Sequence, residues 1–238
     1  VIAERESKNN GKIYLEDVVI TSGVTEGVNL VFGATLEPGD EVLIPGPGYP
    51  TYTAYAHFFG ATPVSYRTIE EEGWDIDVKD LRSKITERTK CIVIINPNNP
   101  TGATYSKKNL KEILDIALEH DLFIISDEIY DRITFNDSFI SPASMSDEVP
   151  ILTFNGISKI YLAPGWRVGY IAFYNWDTLS DIKEGIMKEL RARIAANSVC
   201  QMGAIEAYNS SEKYVLEMVS KLKKRSEFAY KRLNEIPG

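Results

Sequence analysis

Short apolar, β-branched runs punctuate the chain at residues 18–21, 41–45, 91–96, 123–127, 151–155 and 169–173. Each is long enough for a strand and too short for a helix. CIVIIN and LFIIS are apolar at nearly every position, the pattern of strands covered on both faces rather than one. Between these two, Leu110, Ile113, Leu114, Ala117 and Leu118 recur at helical spacing behind Ser106, whose hydroxyl suits an N-cap. From Ser211 to about Glu235, Tyr214, Val215, Met218, Val219 and Leu222 share a face while Lys and Arg crowd the others, which predicts one long helix with a solvated charged side. Strands alternating with helices predict an α/β fold with a mostly parallel central sheet of about seven strands and helices on both faces. No repeat, low-complexity tract or Gly/Ser linker interrupts residues 1–210, which read as one large domain, with 211–238 as a long helix leading out of it. The chain opens inside a helical pattern and stops at Pro237-Gly238, just past the long helix, so a fragment of a longer protein is expected.

Composition narrows the partners. The 238 residues are 44% hydrophobic and 25% charged, an ordinary globular balance. A formal charge of −8 leaves no basic surface to neutralise a phosphate backbone, so nucleic acid is not an expected partner. No apolar run approaches the roughly 20 residues of a membrane span, and the opening VIAERESKNN lacks a signal-peptide pattern. No membrane partner and a cytoplasmic location are therefore expected. Cys91 and Cys200 lie far apart without CxxC spacing, which predicts neither a disulfide framework nor a metal site.

In an open α/β sheet, ligands bind beyond the carboxyl ends of the strands, and here those positions carry chemistry. TSGVTEG follows the first run, with Gly23 for a tight turn and Val24, Thr25 and Glu26 opening a helix whose free N–H groups can bind an anion. A plain glycine turn capped by Thr25 explains the same residues equally well. IPGPGYPTY follows the second run and ends an irregular loop in Tyr49, which could stack on a planar ligand or simply pack. It is not GxGxxG, and no GK[ST] follows any glycine, so dinucleotide and Walker-type sites have little support. NPNNPTG strings Asn96, Asn98 and Asn99 among two prolines and Gly102, displaying amides on a restricted backbone. DEIY puts Asp127 at the end of a buried run, where a carboxylate is costly without a partner, and Tyr130 three residues on. A strand-end Asp capping the next helix is the ordinary alternative. Finally, SKIYLAPGWR carries Lys159 beside Ser158, with Arg167 eight residues later; aimed into a ligand site, such a lysine is a nucleophile toward carbonyls.

Taken in order, these motifs resemble class I and II aminotransferases of fold type I, most closely the alanine and aspartate aminotransferase-like branch: GxTE, PGYPxY, NPNNPTG, DEIY and SK(x7)R run unbroken from Gly23 to Arg167. The resemblance covers essentially the whole chain as a large, pyridoxal 5′-phosphate-binding domain. It implies that Lys159 holds the cofactor as a Schiff base and that Asp127 partners the pyridine nitrogen. Asn99 and Tyr130 would bind the ring hydroxyl, Tyr49 would stack on the ring, and Val24, Thr25, Ser158 and Arg167 would bind the phosphate. Lys159, Asp127 and Tyr130 are the catalytic candidates on this reading. Departures fall on the loop near the phosphate: Gly156 stands where many relatives have Ser, and Ile160 and Pro164 where Thr is frequent. The implied activity is amino transfer between an L-amino acid and a 2-oxo acid, in a homodimer with the active site at its interface. Similar enzymes also carry an N-terminal arm and a C-terminal small domain that supplies a substrate-binding arginine, so residues 1–238 alone are expected to turn over poorly. Two other readings share the motifs: a lyase, decarboxylase or synthase using the same cofactor, and the cofactor-sensing domain of a transcription regulator, against which the acidic charge argues mildly.

Overall fold

The computed structural model describes residues 1–136, 139–193 and 196–237. The continuous apolar runs become the centre of one eight-stranded sheet in the order β1-β8-β7-β6-β5-β2-β3-β4. Its strands are β1 (Val18–Thr21), β2 (Glu41–Gly46), β3 (Thr62–Ile69), β4 (Asp75–Ile76), β5 (Thr89–Ile95), β6 (Phe123–Asp127), β7 (Ile151–Gly156) and β8 (Gly169–Tyr174). β3, β2, β5, β6 and β7 are mutually parallel neighbours, while β8 runs antiparallel between β7 and β1. The two strands that the apolar pattern does not reveal are β3 and the two-residue β4, which pair antiparallel at one edge. β3 reads TPVSYRTI and buries only some of its positions, so no continuous apolar run marks it.

Eight helices accompany the sheet among the described residues: α1 (Ile2–Asn10), α2 (Val24–Thr35), α3 (Pro50–Phe58), α4 (Val78–Ser83), α5 (Lys107–Glu119), α6 (Ser180–Arg193), α7 (Ser198–Asn209) and α8 (Lys213–Asn234). Alternate side chains of the buried strands feed two separate cores. On one face, Ile92, Ile94 and Ile124 pack with Leu81 of α4 and Leu110, Ile113, Leu114 and Ala117 of α5. On the other, Cys91, Val93, Ile95 and Ile125 pack with Val28, Val31 and Phe32 of α2, Tyr52 and Ala56 of α3 and Ile186 of α6. Covering both faces removes β5 and β6 from water almost entirely, which is why those strands do not alternate in sequence. Ser106 caps α5 as its position predicts, accepting from the Asn109 N–H at 3.2 Å. In the long helix, Val215 is buried and Met218, Val219 and Leu222 are half-buried, whereas Tyr214 turns outward at 70% exposure.

After β2 the chain adds β3 on one side, and from β5 onward it grows to the other. The reversal of strand order lies between β2 and β5, where an open parallel sheet leaves a crevice past its carboxyl ends. The loops after β1, β2, β5, β6 and β7 end around that crevice, and the antiparallel β8 begins there.

Candidate active site

One cleft at this carboxyl edge is lined by Val24, Thr25, Tyr49, Asn99, Asp127, Tyr130, Ser158, Lys159 and Arg167, together with Ile95, Ile129 and Pro164. All nine residues singled out from the sequence thus meet in one place, although they are spread over 144 positions (167 − 24 + 1) and six strand ends.

β6 delivers Asp127 as its last residue, 3% exposed. Its Oδ2 accepts from the Tyr52 hydroxyl at 2.8 Å and its Oδ1 from the Ile129 N–H at 3.2 Å. Burial is the main influence and pushes this carboxyl up to about 6, opposed by the two hydrogen bonds and by the positive charge of Lys159. The same desolvation, with the neighbouring Asp127 charge, drives the Tyr52 hydroxyl well above its ordinary range, so it remains a proton donor. Tyr52 is the site residue that the motif reading passes over. Its signal lies in PGYPTY: Tyr52 follows Tyr49 by three, and α3 starts between them with Pro50 in its first turn, so one turn of helix separates an aromatic at the cleft from one beneath it.

Glu128, next to Asp127, faces away from the cleft. Its Oε1 accepts from Ser126 and Ser141 hydroxyls at 2.8 and 2.7 Å, and complete burial beside Glu6 holds it well above the usual carboxylate range. Strand alternation therefore sorts two adjacent acids, one toward the cleft and one into the far core.

Among the three displayed asparagines, geometry separates roles. Asn96 donates to Ile140 O at 3.0 Å and accepts from Tyr105 N–H, and Asn98 donates to the Tyr105 hydroxyl at 2.9 Å and accepts from the Thr101 N–H and hydroxyl. Those two amides brace the loop, whereas Asn99 lines the cleft.

Lys159 sits in the turn just past β7, with Nζ 5.6 Å from the centre of the Tyr130 ring. Ahead of β8, a 3-10 turn over Pro164–Trp166 leads to Arg167, which adopts a left-handed conformation with φ 53°. That geometry is unusual for a residue with a side chain and costs about 1 kcal/mol. It carries the guanidinium across to the β1–α2 turn, where Nη2 donates to Ser22 O at 3.0 Å and Nη1 to Pro164 O at 3.1 Å. The guanidinium lies so close over Gly23 that a Cβ there would overlap it, and Gly23 also has φ 78°. The left-handed φ is what calls for glycine here, since the guanidinium ends a flexible side chain that could shift aside. Gly23 is the N-cap of α2 and no side chain caps the helix, so Thr25 does not serve as the cap. The first amides of α2 consequently face the cleft beside an arginine, an arrangement suited to a dianion. Among the described residues, no group of three or more His, Cys, Asp or Glu side chains is placed to hold a metal ion, and no helix is long and apolar enough to cross a membrane.

Residues 4–238 match the family model described as "Aminotransferase class I and II". The alanine aminotransferase of Mycobacterium tuberculosis (strain H37Rv) is 43% identical over 229 residues, covering 94% of this chain and 53% of that protein. The tyrosine aminotransferase of Mus musculus is 35% identical over 228 residues, covering 94% of this chain and 50% of its own length. Among solved structures, an alanine aminotransferase from Pyrococcus furiosus superimposes with a TM-score of 0.97 at 51% identity, over 100% of this chain and 61% of the other. The chain spans about half to three-fifths of the length of these relatives.

Proposed function

The chain belongs to the class I and II aminotransferases, a family that uses pyridoxal 5′-phosphate, and on that premise we propose that it is the cofactor-binding part of an enzyme moving an amino group between an L-amino acid and a 2-oxo acid. The supporting observation is the convergence at one crevice of a strand-end lysine, a buried carboxylate and an uncapped helix N-terminus crossed by an arginine. We assign residues 1–210 to the cofactor-binding domain and 211–238 to a helix joining it to the rest of the protein.

The residues present fit the cofactor's chemistry. When bound, pyridoxal phosphate supplies an aldehyde carbon that condenses with amines and a ring that withdraws electrons from the bond being broken. Lys159 is the amine we assign to hold that carbon and, once displaced by substrate, to carry a proton between the substrate Cα and the cofactor C4′. Asp127, kept oriented by Tyr52 and Ile129, favours a protonated ring nitrogen when it is ionised. Asn99 and Tyr130, which line the cleft, would donate to the ring hydroxyl, and Tyr49 would offer its ring for stacking. The amides of Val24 and Thr25, the Ser158 hydroxyl and Arg167 hold the phosphate.

Borohydride reduction of the chain mixed with pyridoxal phosphate tests this assignment, with the site of covalent attachment read by mass spectrometry. Attachment at Lys159, abolished in Lys159→Ala, is the expected result; attachment elsewhere in the parent, or unchanged labelling of the variant, contradicts it. For the activity, the full-length protein given alanine or aspartate with 2-oxoglutarate should yield glutamate. Pyruvate or ammonia without glutamate would instead favour lyase chemistry on the same fold. We further propose a homodimer with the site at its interface, for which sedimentation should give twice the chain mass. A cytoplasmic setting fits the two unpaired cysteines, Cys91 and Cys200.

A further inference from the structure

The turn between β1 and α2 presents free N–H groups to an anion, yet it also contains a carboxylate. Glu26 occupies the first turn of α2, and its Oε2 accepts from the Ser22 N–H at 2.5 Å. An acid there suits the helix dipole, but its charge opposes any second anion brought to the same helix end. Arg193, the last residue of α6, meets it from the side: Nε stands 2.9 Å from Glu26 Oε1, and Nη2 donates to Ile20 O at 3.1 Å. The approach to Glu26 is a charge contact rather than an aligned hydrogen bond, since Nε and Nη1 have no hydrogen-bond acceptor among the described residues. The two side chains are 24% and 18% exposed, so water screens the pair only in part. Across the turn, Arg167 holds Ser22 O. The backbone on both sides of Ser22 is therefore held, its N–H by Glu26 and its carbonyl oxygen by Arg167, while Arg193 ties Glu26 to the end of strand β1 at Ile20.

We propose that Arg193 is a positioning residue for this anion-binding turn: by neutralising Glu26 and tying it to Ile20, it sets how tightly the turn takes a phosphate group. The inference rests on the reading of the cleft as a pyridoxal phosphate site. Arg193 itself is absent from the cleft lining and acts through Glu26.

The test compares pyridoxal phosphate with pyridoxal, which has the same ring and aldehyde but no phosphate. Half-saturation of borohydride labelling at Lys159 is measured for both on the parent chain, Arg193→Gln, Glu26→Gln and the double variant. In Arg193→Gln, the preference for pyridoxal phosphate over pyridoxal should fall about tenfold, the size expected of an uncompensated charge at a helix end. Glu26→Gln should leave that preference equal or raise it, and the double variant should return to within about threefold of the parent. A purely structural role would weaken both compounds alike, so an unchanged preference in Arg193→Gln overturns the proposal. So does a double variant as impaired as the single. If Arg193→Gln does not fold, Glu26→Gln decides alone, because a lowered preference there contradicts charge neutralisation. A parent chain that takes no label at Lys159 overturns the cofactor reading and this inference with it; a labelled parent with an unmoved preference overturns only the role of Arg193.

Discussion

Asp127 shows what a buried strand-end carboxylate costs the fold that carries it. In the unfolded chain a carboxyl of this kind titrates near 4 (roughly 3.9), whereas burial moves it to about 6 in the folded state. The folded chain therefore binds that proton more tightly, and stability declines as pH rises through the window from about 4 to about 6. Above that window the cofactor-free fold carries the full penalty of a buried charge, roughly 3 kcal/mol as an upper figure. Asp127→Asn keeps an oxygen for the Tyr52 hydroxyl and removes the charge. It should raise urea stability of the cofactor-free chain by about 1–3 kcal/mol near pH 7.5 and by little near pH 4. Equal stability of parent and variant at both pH values would show that the carboxylate is not penalised. Tyr52→Phe should act in the opposite sense, since it strips a hydrogen bond from the charged form. Its loss, about 1–3 kcal/mol near neutral pH, should shrink on acidification, which a pH series of urea melts would reveal.

At the scale of elements, α1 is held largely by polar contacts. Its sequence IAERESKNN has little apolar surface, yet Glu6 is 1% exposed. Glu6 accepts from the hydroxyls of Tyr170 and Tyr174 on β8 at 2.6 and 2.9 Å and from Asn10 at 2.8 Å. Arg5 donates to Tyr170 and pairs with Asp131, one residue past Tyr130, so α1 braces the DEIY loop from behind. Arg5→Met should leave two buried carboxylates short of their cation and cost about 3 kcal/mol, and adding Asp131→Asn should recover part of that in the same melts. A loss below about 0.5 kcal/mol would mean the network is solvated and α1 loosely held. None of this is legible in the sequence, where Arg5 and Glu6 look like any exposed helical pair. The strands around the site are legible because burial on both faces leaves an apolar run, and the cleft residues because each follows such a run directly. β3 escapes because its burial is partial, and Tyr52 because its hydroxyl finds Asp127, 75 positions away, only through the tertiary packing of α3 against the sheet. The Glu26–Arg193 contact escapes for a similar reason: 167 residues separate its members (193 − 26), and nothing local to either announces the other.

At the scale of the whole molecule, burial is graded from the middle of the sheet to α8. β6 is buried at every position and β5 at all but Lys90, between two apolar cores, so their amides can open only when the molecule does. α8 has one buried residue, Val215, near its start. Glu212 just ahead of it pairs with Arg132 at 2.8 Å, and Lys223 reaches Phe135 O at 3.3 Å. Past Leu222 every described side chain is exposed, including Phe228, Tyr230 and Leu233 at 67%, 74% and 66%. A helical end without packing has only its own propensity, and helices of this length are marginal in water. Hydrogen exchange on the chain should therefore show three tiers: β5 and β6 slowest, the first turns of α8 intermediate, and residues 226–234 protected by less than about a hundredfold. Slow exchange extending to Asn234 would require something to cover those aromatic and aliphatic side chains. Repeating the measurement at several protein concentrations identifies that cover: protection that grows with concentration comes from a second copy, and protection independent of it comes from the chain itself.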